Sequence, residues 1–344
     1  PGPDGLSSAF YKKFKHILSP LLAAVYNEAF DLKALPPSFA EAHTILIPKT
    51  DNREKLKQVT AYRPISLTNV DYKILMKVIA QRLQTVITEL VGPHQTCGIK
   101  GRSIFTNIHK ARCVLECCDA MNACVAVLQL DLEKAFDCVS HEILLGILDY
   151  VNVGAVIRDS VAMAYQNCTT RLIVNKNLGA PVKVRRSVRQ GCPLSPLLFC
   201  IYIEALCLRI IQCEGVKGFQ LCGSEVKLLA YADDVAVFCA DIESVERAVG
   251  EVKVFSAATG SHVNWGKCLG FWHGNWPSTP STLANVSWVT TPVQYLGAPL
   301  DSYKNSEQYW QAQTQETRRK TEKWKGVSLS MFARATVCNL FLVR

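Results

Sequence analysis

The sequence predicts an α+β protein built on an antiparallel sheet, and three stretches carry that reading. Leu228–Phe238 (LLAYADDVAVF) sets two apolar, strand-forming runs on either side of Asp233–Asp234, the pattern of a tight β-hairpin. Cys124–Leu130 is a second apolar strand; it ends in Asp131 and, after a short turn, gives way to a helix with Ser140 as N-cap. Asp71–Leu90 places Ile74, Leu75, Val78, Ile79, Leu83, Val86, Ile87 and Leu90 at helical spacing, with Lys73, Lys77 and Arg82 facing outward. Two aspartates in a hairpin turn are by themselves an ordinary solvated turn. Here the flanks are apolar at nearly every position, and like charges so close are costly unless a cation neutralises them. The pair asks for a metal ion and for a third acid.

With 344 residues the chain can bury a large core divided into two or three subdomains. Its 49% hydrophobic and 19% charged content excludes a disordered polymer. A net charge of +9 points to an anionic partner, nucleic acid first, with a basic ribosomal or membrane-surface protein as the bland alternative. The 15 cysteines include no C-x-x-C, are odd in number, and often lie in apolar runs (Cys124, Cys200, Cys207, Cys239). They read as small core residues in a reducing compartment, cytosol or nucleus, without structural zinc. The apolar stretch Pro193–Leu208 contains Ser195 and Glu204 and is expected to be too short for a bilayer, and no signal peptide is evident. The chain has no initiator Met and stops inside the apolar pattern of Met331–Arg344, so it is expected to be part of something longer.

In chain order, the turn-rich PGPDG precedes a helix carrying Phe10, Phe14, Ile17 and Leu18 on one face, and a second helix, Leu21–Phe30, precedes the Pro36–Pro37 break. His43–Ile47 is a short strand ending at Pro48. A basic loop with Lys49, Arg53, Lys55 and Lys57 leads to YRPISL; such a tip suits phosphates and equally suits a solvated surface. A Gly-punctuated basic loop, Gln95–Ile104, joins the long helix to another that runs through Cys118. After the Asp131 turn and its helix, Ala155–Thr170 reads as helical. Arg171–Val174 and Pro181–Val188 form a hairpin with Lys183, Arg185, Arg186 and Arg189 nearby. The rigid Gln190–Pro196 loop opens the helix Leu197–Ile211. Beyond the aspartate hairpin come a helix, Ile242–Thr259, ended by Gly260, a strand-like Asn264–Lys267, a hairpin at Pro292–Pro299 and a basic helix, Ser306–Trp324.

These blocks resemble, in order and along nearly the whole chain, the reverse transcriptases of non-LTR (LINE-type) retrotransposons. PGPDGLSSAFYKKF is similar to their N-terminal extension; ILIPKT with YRPISL, and HQTCGIKGRSIFTNI, to their finger motifs. LQLDLEKAFDCVSHEIL, RQGCPLSPLLFCIYIEAL, LLAYADDVAVF, TGSHVNWGKC and VQYLGAPL are similar to the successive palm motifs. Departures are a Tyr where many members have Phe before the aspartate pair, a thumb cut short, and no endonuclease domain or zinc knuckle.

The resemblance implies a right-hand polymerase: N-terminal extension and fingers over 1–123, palm over 124–300 with a finger insertion near 165–190, and the start of a thumb over 301–344. It implies RNA-directed DNA synthesis from a 3′-hydroxyl primer, with template RNA, primer or target DNA and deoxynucleoside triphosphates as partners and a nuclear or cytoplasmic ribonucleoprotein as setting. Two Mg²⁺ ions, or Mn²⁺, would be held by Asp131 and Asp233, with Asp234 assisting and the Leu132 carbonyl as a further ligand. Lys49 and Arg63 resemble residues that clasp the triphosphate, and Phe136 an aromatic gate against a ribose 2′-hydroxyl. Gln190 and Gly191 resemble the loop that meets the nucleotide, and Lys267 a lysine that protonates pyrophosphate; Tyr295, Leu296 and Gly297 resemble the primer grip. Arg318, Arg319, Lys320, Lys323 and Lys325 could follow the duplex backbone. Rival readings are a group II intron-type or telomerase-like enzyme and a non-catalytic nucleic-acid-binding relic; the oligomeric state stays open.

Overall fold

The computed structural model describes residues 1–300 and 307–338. The chain opens with α1 (Ser8–Lys13) and α2 (Lys15–Asp31), and a short α3 (Pro37–Ala40) leads into β1 (Glu41–Pro48) and β2 (Tyr62–Leu67). The helices α4 (Val70–Leu90) and α5 (Ile104–Ala120) precede β3 (Cys124–Leu130), α6 (Ala135–Cys138), α7 (His141–Tyr150) and α8 (Ala155–Tyr165). The hairpin β4 (Thr169–Val174)–β5 (Asn177–Lys183) is followed by α9 (Ser195–Gln212). Then come two hairpins, β6 (Phe219–Leu221)–β7 (Ser224–Val226) and β8 (Leu228–Tyr231)–β9 (Asp234–Cys239). Next are α10 (Ile242–Thr259), β10 (Leu269–Gly274), β11 (Thr282–Leu283), β12 (Val286–Val289), β13 (Val293–Tyr295), β14 (Ala298–Leu300), α11 (Glu307–Glu322) and α12 (Met331–Val337).

The central sheet has the order β11-β12-β10-β3-β9-β8, and its β10-β3-β9-β8 portion is antiparallel throughout. Alternation along its strands feeds two separate cores. Ala126, Leu128 and Leu130 of β3, with Val235 and Val237 of β9, pack on the face covered by α4, α9 and α10. Val125 and Val127, with Ala236 and Phe238, pack on the opposite face under α5 and the β13–β14 hairpin. A sheet buried on both faces needs apolar residues at consecutive positions, which is why these strands read as continuous apolar runs. A second sheet, β2-β1-β4-β5, joins two hairpins through a parallel β1–β4 pairing, so segments over 120 residues apart in sequence form one layer.

Several boundaries differ from the sequence expectation. The first helices break at Phe14, and α2 runs through Pro20 on an exposed face where the freed carbonyl can be hydrated. The helix predicted to Thr170 ends at Tyr165, because Thr169 and Thr170 join β4 as β-branched strand residues. Asn264–Lys267 is a turn, and the strand begins at Leu269. Ser195–Gln212 is, by length and composition, long and apolar enough to cross a membrane, contrary to expectation; 67% of it is buried inside the protein, as the central helix of the larger core. The predicted helix start at Ser306 and the end of the Met331–Arg344 pattern lie outside the described residues.

Candidate active site

The β3–β9 register pairs Leu130 with Val235. Carried one residue further, it sets Asp131 opposite Asp234, on the face where β13–β14 packs. Directly opposed residues of an antiparallel pair have Cβ atoms roughly 4.5–5.5 Å apart. One cleft is lined by Asp131, Asp234, Lys267, Tyr295 and Leu296. The Asp131 amide donates to Cys268 Sγ at 3.4 Å, and Asn264 N–H donates to the Asp131 carbonyl at 2.8 Å, so its backbone is held on both sides.

Asp233 lies in the two-residue turn Ala232–Asp233 between β8 and β9. Burial holds its carboxyl above the ordinary aspartate range; the negative charge of Asp131 adds to the rise and Arg63 opposes it. Burial likewise raises Asp234, followed by the charges of Asp233 and Asp131. The three acids thus share one electrostatic field. They do not converge into a tight cluster: among the described residues, the trio whose ligand atoms all lie within 4.8 Å is His94, Glu204 and Cys207. Asp131 and Asp234 share a sheet face, whereas Asp233 leaves from the turn on the side that feels Arg63.

Leu132 forms an antiparallel bridge with Val263, flanked by hydrogen bonds from Glu133 N–H to His262 and from Asn264 N–H to Asp131. That pattern turns the Leu132 carbonyl away from Val263, toward the β9 side. Three carboxylates and one carbonyl make an all-oxygen donor set, the chemistry of a hard divalent cation such as Mg²⁺. These residues fit such an ion.

The β1–β2 hairpin brings two cations toward the sheet end. Arg63 acts on Asp233, while Lys49, whose ammonium donates to Thr60 O at 3.1 Å, acts on Asp137. Asp137 carries a side-chain hydrogen bond from Gln190 Nε2 at 3.5 Å, and burial raises its carboxyl against the pull of Lys134 and Lys49. Gln190 is tied to β2 by the Ser66 N–H bond to its carbonyl, 2.8 Å. Gly191 follows at φ +115°, where a Cβ would stand 2.6 Å from Ser66 O. Phe136 is half-buried, its ring stacked on Phe199 at 4.4 Å and 10°. Tyr295 is buried, and the turn Leu296–Gly297 has both residues at positive φ (51° and 76°), as a two-residue hairpin requires. Gln129 Nε2 donates to Gln294 O at 2.9 Å and pins this hairpin to β3.

Two arginines of the basic stretches spend their guanidiniums on backbone carbonyls rather than offering them to phosphates. Arg102 donates to the carbonyls of Val91, Gly92 and Gln95. Arg189 is 3% exposed, donates to Phe39 O and Ala40 O, and lies over the Tyr72 ring at 5.3 Å. Sequence reasoning also missed Gln95 and Asn107, both fully buried and bonded to the aspartate hairpin. Both lie inside the HQTCGIKGRSIFTNI block, where their sequence neighbours, His94 and Thr96 for Gln95 and Thr106 and Ile108 for Asn107, give no local signal of burial.

Residues 47–300 match the family described as reverse transcriptase (RNA-dependent DNA polymerase). The chain is 35% identical over 346 residues to the transposon TX1 uncharacterized 149 kDa protein of Xenopus laevis, covering 98% of this chain and 26% of that protein. It is 24% identical over 267 residues to the Retrovirus-related Pol polyprotein from type-1 retrotransposable element R2 of Nasonia vitripennis, covering 78% of this chain and 25% of that one. It therefore spans about a quarter of the length of these curated relatives. Among solved structures, telomerase from Candida tropicalis in complex with a telomeric RNA fragment superposes with a TM-score of 0.57 at 12% identity, over 88% of this chain and 52% of that one, a likeness of fold.

Proposed function

Because the chain belongs to the reverse transcriptase (RNA-dependent DNA polymerase) family, we propose that it copies retroelement RNA into DNA by adding deoxynucleotides to a primer 3′-hydroxyl. The single observation that carries this reading is that Asp131 and Asp234 line one cleft at the end of the β3–β9 pairing, with Asp233 next to Asp234 in the turn. Members of the family work with divalent metal ions. Asp131, Asp233, Asp234 and the Leu132 carbonyl would hold two Mg²⁺ ions here, or Mn²⁺ in their place. What such ions supply when bound is activation of the primer hydroxyl and neutralisation of charge on the leaving pyrophosphate.

The remaining roles in this reading come from the family resemblance, and the surroundings of the side chains support them. Lys49 and Arg63, carried over the sheet end by β1–β2, would bind the triphosphate oxygens of the incoming nucleotide. Gln190 and Gly191 would lie against its sugar and base pair, with Phe136, stiffened by Phe199, excluding a 2′-hydroxyl. Lys267 shares a cleft with Asp131 and Asp234 and is placed to give a proton to pyrophosphate. The Tyr295–Gly297 turn in the same region would steady the primer end. In this reading 1–123 is N-terminal extension and fingers, joined by the β4–β5 insertion near 165–190, 124–300 is palm, and thumb begins at 301. Thiol-rich packing supports action in a reducing compartment, nucleus or cytoplasm.

The test is primer extension on an RNA template with Mg²⁺, comparing the chain with Asp233→Asn. Loss of synthesis with retained template binding is the expected result. Equal extension by both proteins would remove the catalytic assignment.

A further inference from the structure

We propose that Gln95 is the positioning residue of the Asp233 turn, fixing where the metal-binding carboxylates stand without itself touching metal or nucleotide. This inference rests on the polymerase reading of the acids. Ala232, the residue before Asp233, holds φ at +52°. A backbone with positive φ is natural to glycine, and an L-residue stays there only when its surroundings hold it. The Gln95 side chain does so from both ends. Its Oε1 accepts from Ala232 N–H at 2.8 Å, and its Nε2 donates to Ala232 O at 3.3 Å.

The clamp is rigid because its base is rigid. Gln95 is fully buried and bridges Ala230, whose N–H donates to His94 O while its carbonyl accepts from Thr96 N–H. Asn107 Nδ2 donates to the same carbonyl at 2.7 Å. Below the clamp, Glu204 of α9 accepts from Gly92 N–H and bonds His94 Nε2, both at 2.9 Å. Both Glu204 oxygens are thus engaged by the loop, so the buried His94–Glu204–Cys207 trio is explained as a support for that loop rather than as a metal centre. An asparagine at position 95 would be one methylene too short to reach both Ala232 groups. An ionised glutamate would lack the donor and would place a second negative charge beside Asp233.

The experiment measures Mn²⁺ binding by electron paramagnetic resonance, together with the Mg²⁺ dependence of primer extension, in the wild-type chain, Gln95→Ala and the double variant Gln95→Ala/Ala232→Gly. Losing the two bonds to Ala232, along with the Cys97 N–H bond to Gln95 Oε1 at 3.0 Å, should weaken Mn²⁺ binding by roughly tenfold and raise the half-saturating Mg²⁺ concentration in parallel, while template–primer affinity is kept. The double variant should recover most of that loss, since glycine holds the turn without a clamp. Should Gln95→Ala fail to fold, Gln95→Met fills the same space without donor or acceptor and carries the same expectation. Wild-type Mn²⁺ affinity in the Gln95 variant, or no recovery in the double variant, overturns the clamp. A wild-type chain that binds Mn²⁺ without extending primer defeats the polymerase reading alone, and one that binds no Mn²⁺ defeats both.

Discussion

Asp131 and Asp234 line one cleft just past the last β3–β9 pair, Leu130–Val235, on the sheet face where β13–β14 packs. Two carboxylates in that relation repel, and Asp233 adds a third charge to the same field. Burial and mutual repulsion raise Asp233 and Asp234 above their unfolded values. A carboxylate whose folded pKa is raised binds protons more tightly in the native state, so stability falls as pH rises through the window from the unfolded to the folded pKa. Asp233→Asn and Asp234→Asn should therefore melt at a higher temperature than wild type at neutral pH in chelator. The difference should vanish below the ordinary aspartate range, and thermal melts across pH decide it. Lower melting temperatures for both variants at neutral pH would show that the acids are not in conflict.

The same conflict predicts a response to cations. If Mg²⁺ binds the native site as proposed and not the unfolded chain, it should raise the melting temperature of wild type progressively with concentration. Asp131→Asn and Asp233→Asn should show little or none of that rise. At limiting Mg²⁺, synthesis should fall toward acid pH, because protons compete with the metal ion for these carboxylates. A pH–rate profile flat down to the ordinary aspartate range would contradict the assignment.

Much of this site was legible in the sequence, and the reasons differ by residue. Asp131 and the Asp233–Asp234 pair each read alone as an ordinary strand end or turn, and it is their place in ordered, family-like blocks that marks them. The register that makes Asp234, not Asp233, the ladder partner of Asp131 is a property of pairing between distant strands, and no local pattern carries it. Arg102 bonds carbonyls 7, 10 and 11 residues back that its Gly-punctuated loop does not advertise, and the Arg189 partners, Phe39 and Ala40, belong to a remote segment. Gln95 was hidden for the same reason, since Ala232 lies far along the chain and alanine gives no hint of a positive φ. The strands β11 and β12 were missed because Trp288 packs directly over Gly270, a fit that needs the assembled sheet.

Gly191 tests the loop proposed to meet the nucleotide. Its φ of +115° suits glycine alone, and a Cβ there would press on Ser66 O at 2.6 Å. Gly191→Ala should push Gln190 off β2, breaking the Ser66 N–H bond, at about 1–3 kcal/mol. Single-nucleotide incorporation should show a raised KM for the deoxynucleotide, with template affinity retained. An unchanged KM would remove Gly191 from the nucleotide site.

Arg189 makes the opposite prediction, one of stability rather than affinity. Its guanidinium reaches Phe39 O at 3.2 Å and Ala40 O at 2.8 Å, fastening the start of β1 to the loop after β5, and it stacks on Tyr72. Truncation leaves buried carbonyls without their donors and a cavity over the ring. Arg189→Ala should therefore lose roughly 2–4 kcal/mol in chemical denaturation. Arg189→Lys keeps the charge but has no planar fork to meet two carbonyls, and should recover only part of that loss. If Arg189 were instead a phosphate ligand, Arg189→Ala would leave the denaturation midpoint in place and weaken template binding with a reduced salt dependence. The two measurements together separate a strut from a nucleic-acid contact.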